Sequence, residues 1–277
     1  MKILGISGKK QSGKNSTANF IIGKILKDNG IVFDYGVTDK GELSLLTSLQ
    51  DGSKVWGTVD TCSRDPVFLE AAENMIFPFV KNYSFADSLK EAAVSLFGLT
   101  PEQAWGTDKD KQTLTNLKWE NMPGVTTEVT PQDPVDEEVA GRLGKYYEKV
   151  LSGVVYHEPG FMTAREFLQF FGTEIGRKMY PDIWIDATIN RILEEQTGLA
   201  IITDVRFPDE VAAIQNVGGI VCRLDRTLFE DNHPSEVALD KENYDWNNFD
   251  FIIENHYLPL EETCKLMAQH LEQQGLV

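Results

Sequence analysis

The segment Gly8-Lys9-Lys10-Gln11-Ser12-Gly13-Lys14 follows the apolar run Lys2 to Gly8. It precedes STANFIIGKILKDNG, in which Ala18, Ile21, Ile22 and Ile25 recur at helical spacing. Strand, glycine-rich loop and helix in that order match the phosphate-binding pattern G-x-x-x-x-G-K in the context it requires. Gly8 and Gly13 are expected to take backbone angles that a side chain would block, so that successive N–H groups converge on a polyphosphate at the positive end of the helix. Lys14 would bridge the outer phosphates. The expected ATP-binding residues are therefore Gly8, Lys10, Ser12, Gly13, Lys14, Asn15 and Ser16. Where Ser or Thr usually meets Mg²⁺ the chain has Asn15, with Ser16 next, and the metal-facing role is divided between these two.

Further along, LAIITDVRF (199–207), GIVCRLDR (219–226) and DFIIENH (250–256) are near-continuous apolar strands separated by helical patterns, which argues for a parallel sheet covered on both faces. Residues 31 to 65 read as a strand and a hairpin-like excursion, with turns at Asp39-Lys40-Gly41 and Asp51-Gly52. Pro66 opens a helix through Met75, YSFA (83–86) reads as a strand, and DSLKEAAVSLFG (87–98) reads as a helix with Asp87 as a candidate N-cap. Residues 106 to 162, with an acidic, proline-containing centre and a short helical LGKYYEKVL, read as an insertion or cover outside the core. Two helices follow, TAREFLQFFGTEIGRKMY and PDIWIDATINRILEEQ, and an amphipathic helix ends the chain.

The net charge of −17 opposes nucleic-acid polymers, whose binding depends on neutralising phosphates. No apolar window reaches membrane-span length, and the start MKILGISGKK lacks a signal-peptide pattern, so a cytoplasmic protein with no membrane partner is expected. Cys62, Cys222 and Cys264 have neither disulfide nor zinc spacing and are expected to be small buried hydrophobes. His157, His256 and His270 show no ligand spacing and read as surface groups.

Three more constellations carry chemistry. Asp204 and Arg206 lie at the carboxyl end of an apolar strand, where ligands of open parallel sheets sit, and Asp204 stands like the metal-organising carboxylate of phosphate-loop enzymes. Arg165 and Arg177, two of eight arginines, flank a helical segment broken by Gly172 and Gly176. Glycines there suggest backbone pressed against a ligand, and the planar guanidinium fork suits a phosphate dianion. Asp87 and Lys90 follow a strand, Trp184 is positioned to stack on a base or fill the core, and His233-Pro234-Ser235-Glu236 lies in a loop after a strand.

SGKKQSGKNS, FADSLKEA, REFLQFFGTEIGR with the Trp184 region, ITDVRFPDEV and the HPSE loop together resemble the bacteriophage deoxynucleoside monophosphate kinases, a branch of the P-loop kinases. The resemblance implies a single three-layer P-loop kinase domain over 1–277. Its sheet would be mostly parallel; the hairpin-like insertion at 31–65 and the acidic insertion or mobile cover at 106–162, read from the residues themselves, have no clear counterpart in the family. It implies transfer of the γ-phosphoryl of ATP, with Mg²⁺, to a deoxynucleoside 5′-monophosphate in the host cytoplasm, and a homodimer. Lys14 would then hold ATP, and Asp204 would stand with Asn15 and Ser16 near the metal. The acceptor side would comprise Asp87, Lys90, Arg165, Gln169, Gly172, Thr173, Trp184, Asp204, Arg206, Glu210 and Glu236, joined by Arg177 from its own fork geometry. Lys14, Arg165, Asp204 and Arg206 would carry catalysis. Asn15-Ser16 departs from the family's usual Asp followed by Thr or Ser. The rival readings are another small-molecule P-loop kinase, such as a dephospho-coenzyme A kinase-like enzyme, and an ATP-hydrolysing switch acting on a protein partner.

Overall fold

The apolar strands of the sequence are buried on both faces, and the computed structural model shows what covers them. It describes residues 2–49, 51–127, 146–149, 154–227 and 234–276. The chain divides into two compact units, Met1–Asp87 with Asp182–Val277, and Ser88–Pro181.

In the first unit, five parallel strands lie in the spatial order Phe251–Glu254, Ile220–Asp225, Lys2–Gly8, Leu199–Val205, Val80–Tyr83. Side chains alternate across the sheet. Leu4, Ile6, Ile201, Cys222, Leu224 and Ile253 pack on one face with Ile21, Ile22 and Leu26 of helix Lys14–Asp28 and Met267 and Leu271 of helix Leu260–Gln273. Ile3, Ala200, Ile202 and Val221 pack on the other with Ile185, Ile189 and Ile192 of helix Ile183–Glu195 and Val211 and Ile214 of helix Pro208–Asn216. Gly5 lets helix Pro208–Asn216 sit close on the sheet, since a Cβ there would stand 2.8 Å from Ile214 Cδ1. From the central first strand the chain visits one edge of the sheet, returns, and crosses to the other. The carboxyl end of Lys2–Gly8 is thus at the reversal of strand order, where such sheets bind ligands.

The 31–65 stretch forms one antiparallel sheet of Asp34–Val37, Leu43–Ser48 and Lys54–Val59, turned at Gly41 and Gly52, both with left-handed φ near +80°. It is tied to helix Lys14–Asp28 at Gly23, where a Cβ would stand 2.7 Å from Tyr35 Cγ. Asp65 caps helix Pro66–Met75 by accepting from the N–H groups of Val67 and Phe68.

The second unit has its own core of Ala93, Leu99, Trp119, Met162, Ala164, Phe167 and Phe170. Trp119 and Met162 fall within the stretch read from sequence as outside the core. Strands Leu114–Lys118 and Phe161–Thr163 pair antiparallel, and Val125–Thr126, Val154–His157 and Tyr146–Lys149 form a second small sheet. LGKYYEKVL, expected to be helical, thus contributes a strand. Its Tyr-Tyr pair favours the extended state once a partner strand is available. Thr163 and Glu166 cap helix Ala164–Phe170 reciprocally, and the helix continues as the wide π-turns of Phe171–Arg177, which accommodate Gly172 and Gly176 without a break.

Three further expectations are corrected. The fifth strand of the main sheet ends at Tyr83, and 84–86 is a turn. Cys62 is exposed, although Cys222 and Cys264 are buried. His157 is buried and stacked on Trp119, with ring centroids 3.9 Å apart. The acidic centre 128–145 and residues 228–233, including His233, lie outside the described residues. No helix among the described residues is long and apolar enough to cross a membrane.

Candidate active site

The Gly8–Lys14 loop leaves the central strand and ends at Gly13, whose φ of +98° makes it a left-handed N-cap for helix Lys14–Asp28. At Gly8 the constraint is space, because a Cβ would run into the Ser12 hydroxyl and stand 3.1 Å from the Leu224 carbonyl oxygen. The Ser12 N–H donates to the Lys9 carbonyl at 3.1 Å, and the buried Asn255 amide donates to the Ser12 carbonyl at 3.0 Å. Among the described residues, the buried hydroxyls of Ser12 and Thr17 have no hydrogen-bond partner. An anion seated in the loop would give such donors an acceptor.

Lys14 turns back over the loop, its ammonium donating to the carbonyls of Gly8 at 2.7 Å and Lys9 at 2.8 Å. Burial, followed by the nearby Arg206 guanidinium, lowers its pKa to about 8. A lysine so placed is desolvated and ready to gain from an arriving negative charge.

Two carboxylates serve this loop. Glu236, its side chain 9 % exposed, accepts from the Lys10 backbone N–H at 3.0 Å and pairs with Arg206 at 2.6 Å. Asp240 pairs with Lys9 at 2.5 Å and with Arg223 at 3.6 Å. Arg223, 4 % exposed, also donates to the Ser7 hydroxyl at 2.9 Å and lies 5.1 Å from the Trp246 ring centroid. Its desolvation lowers its pKa. The sequence singled out none of Arg223, Asp240 and Asn255, since nothing local marks a side chain that serves a loop more than two hundred residues away.

Asp204 sits at the end of its strand, where it accepts from the Ser84 hydroxyl at 2.6 Å and the N–H groups of Phe85 at 3.0 Å and Ala86 at 3.3 Å. These bonds hold the 84–86 turn. Glu210, 3 % exposed, bends back to accept from the N–H groups of Arg206 at 2.7 Å and Phe207 at 3.1 Å, so it shapes the turn that carries Arg206. Asp87 opens helix Asp87–Phe97 and pairs with Arg64 at 2.9 Å. Trp184 is 8 % exposed. Asn15 is exposed, while Ser16 Oγ lies against Gly41 so closely that a Cβ there would overlap it. Among the described residues no three His, Cys, Asp or Glu side chains gather as a metal site.

In the second unit Arg165 pairs with Asp108 at 2.6 Å. Lys111, which the sequence reading did not single out, has its pKa lowered by burial and then by the positive charges of Lys90 and Arg165. Lys90 and Arg165 are thus within electrostatic reach of Lys111, with the carboxylates of Asp108 and Asp110 among them. Gln169 and Thr173 are exposed, and Arg177 is half-buried. Gly172 is buried, and a Cβ there would stand 2.9 Å from Leu89 Cδ2, so its close approach is to a leucine side chain.

No family model matches the chain. Two curated proteins are similar to it. One, from Acanthamoeba polyphaga mimivirus and named as a deoxynucleotide monophosphate kinase, is 29% identical over 158 residues, covering 56% of this chain and 67% of that one. The chain resembles viral deoxynucleoside monophosphate kinases. The second, the deoxynucleoside-5′-monophosphate kinase of Escherichia phage T5, is 27% identical over 181 residues, covering 57% of this chain and 72% of that one.

Proposed function

We propose that this protein is a phosphotransferase that moves the γ-phosphoryl group of ATP to a deoxynucleoside 5′-monophosphate, giving the diphosphate. The observation that carries the reading is the glycine loop at the carboxyl end of the central strand, with Lys14 desolvated over it, in a chain similar to two viral kinases of that name. The donor's phosphates would take the loop N–H groups and the Lys14 ammonium, with Arg206 on the transferring group. The buried hydroxyls of Ser12 and Thr17 and the Gly13 cap fit such an anion.

Mg²⁺ would ride on the donor, held by a neutral oxygen of Asn15 or Ser16 with Asp204 nearby in charge, and would neutralise the developing negative charge. The acceptor phosphate has a second pKa of about 6 and is already ionised at neutral pH, so no general base is needed. The cations Lys90, Lys111 and Arg165 suit that dianion. Arg177, Gln169, Thr173, Trp184 and Asp87 join this acceptor assignment on the strength of the sequence alone, whereas Gly172 packs on Leu89. Glu210 acts as a positioning residue for Arg206. The proposed assembly is a homodimer, which rests on the family resemblance alone.

The test is ADP production from MgATP with each deoxy- and ribonucleoside monophosphate in turn, with dephospho-coenzyme A and with no acceptor. Turnover restricted to deoxynucleoside monophosphates, abolished in a folded Lys14→Ala variant, is expected. ATP hydrolysis indifferent to any acceptor would overturn the assignment.

A further inference from the structure

Glu236 presents an anion to the place where the donor loop expects one. One carboxylate oxygen accepts from the Lys10 N–H at 3.0 Å, the other pairs with Arg206 at 2.6 Å, and the group is close enough to Lys14 to oppose the lowering of its pKa. A loop N–H, a guanidinium and a lysine around one carboxylate form the donor set that a terminal phosphoryl group would use. The contact is well formed, and the Glu236 side chain is largely shielded from solvent. Arg206 itself remains 42 % exposed, so the guanidinium has room to swing from the carboxylate to an arriving anion.

The geometry points to Glu236 as an internal stand-in for the terminal phosphate of the donor, held in the cradle until a nucleoside triphosphate displaces it. This inference rests on the proposed function and adds a positioning residue to it. Three consequences follow. The cradle is kept shaped while empty, because Arg206 and the Lys10 N–H stay aimed at an anion. Small anions that cannot engage the rest of the loop do not evict the carboxylate. Arg206 is handed from Glu236 to the incoming phosphoryl group, so donor arrival and placement of the guanidinium are one event. No bond is made or broken in the exchange, only hydrogen bonds and an ion pair.

If Glu236 served the acceptor side instead, its removal would raise KM for the mononucleotide and leave donor binding unchanged. The experiment compares wild type with Glu236→Gln, using inorganic pyrophosphate and a non-hydrolysable MgATP analogue in calorimetric titrations. Removing the competing charge should tighten both ligands by about tenfold, the equivalent of about 1.4 kcal/mol. KM for ATP should fall with it, while KM for the mononucleotide stays unchanged. Unchanged or weaker pyrophosphate and analogue binding in Glu236→Gln would overturn the proposal.

A second measurement needs no variant. Amide hydrogen exchange of residues 234–240 in wild type should speed up when the analogue binds, as the carboxylate leaves the loop; slower or equal exchange would also refute displacement. Failure of the wild-type protein to bind the analogue at all would count against the phosphotransferase reading, whereas binding with the wrong sign in the variant counts against Glu236 alone.

Discussion

The charge on Lys14 offers the sharpest quantitative test of the donor site. Its pKa falls from 10.5 to about 8, first because burial strips water from the ammonium and next because the Arg206 guanidinium is near; Glu236 and Asp204 oppose the fall, and Arg223 adds to it. That lowering corresponds to a cost of about 3 kcal/mol against charging. A bound triphosphate repays that cost, so donor binding must draw a proton on to Lys14 wherever the free enzyme has lost it. Between pH 7 and pH 9 the protonated fraction of a group with pKa about 8 drops about tenfold, and affinity for a MgATP analogue should drop by the same factor. Calorimetry in buffers of different ionisation enthalpy should show proton uptake rising towards about one per site at pH 9. Lys14→Arg, which does not titrate in this range, should bind with a flat profile. Wild-type affinity that changes less than about threefold over these two pH units, or a variant with the same slope, would refute the reasoning. The sign for stability is the reverse of a paired lysine. The unfolded chain holds this proton more tightly, so Lys14 costs stability below pH 8, and that cost fades as pH rises from 8 towards 10.5.

Other expectations follow from single contacts. Asp240→Asn takes the carboxylate from both Lys9 and the buried Arg223, and urea denaturation should register a loss of about 3 kcal/mol, with KM for ATP rising more than kcat falls. Gly23→Ala forces a methyl group into the Tyr35 ring, and thermal unfolding should report about 1–3 kcal/mol of destabilisation. Gly172→Ala meets only the end of the Leu89 side chain, which can rotate away, and the same assay should find a loss below about 1 kcal/mol.

Local patterns carried much of this molecule. The spacing of Ala18, Ile21, Ile22 and Ile25 places helix Lys14–Asp28, and the near-continuous apolar runs at 199–205 and 220–225 place the inner strands, because a parallel sheet buries both faces of each strand. The 84–86 turn was missed because Tyr83 and Phe85 alternate as in a strand. What curls the backbone there is a carboxylate 118 to 120 residues away, Asp204, collecting the Ser84 hydroxyl and two N–H groups. Gly172 read as a ligand-facing glycine, yet its neighbour is Leu89, and no sequence window contains both. Lys14 and its loop were legible because one short motif holds the whole geometry. The partners that tune them, Glu236, Asp240, Arg223 and Asn255, reach the loop only through tertiary folding.

The two hairpin ends of the antiparallel sheet differ in their surroundings. Gly41 sits flush on Ser16, and its carbonyl accepts from the Asn19 amide at 2.9 Å, whereas Gly52 has open space around it. A reporter peptide or fluorescent label spliced in beside Gly52 would ride on the protein as a passenger. The same graft beside Gly41 would wedge the sheet off the helix that follows the glycine loop, turning an ornament into a lever on the proposed donor site.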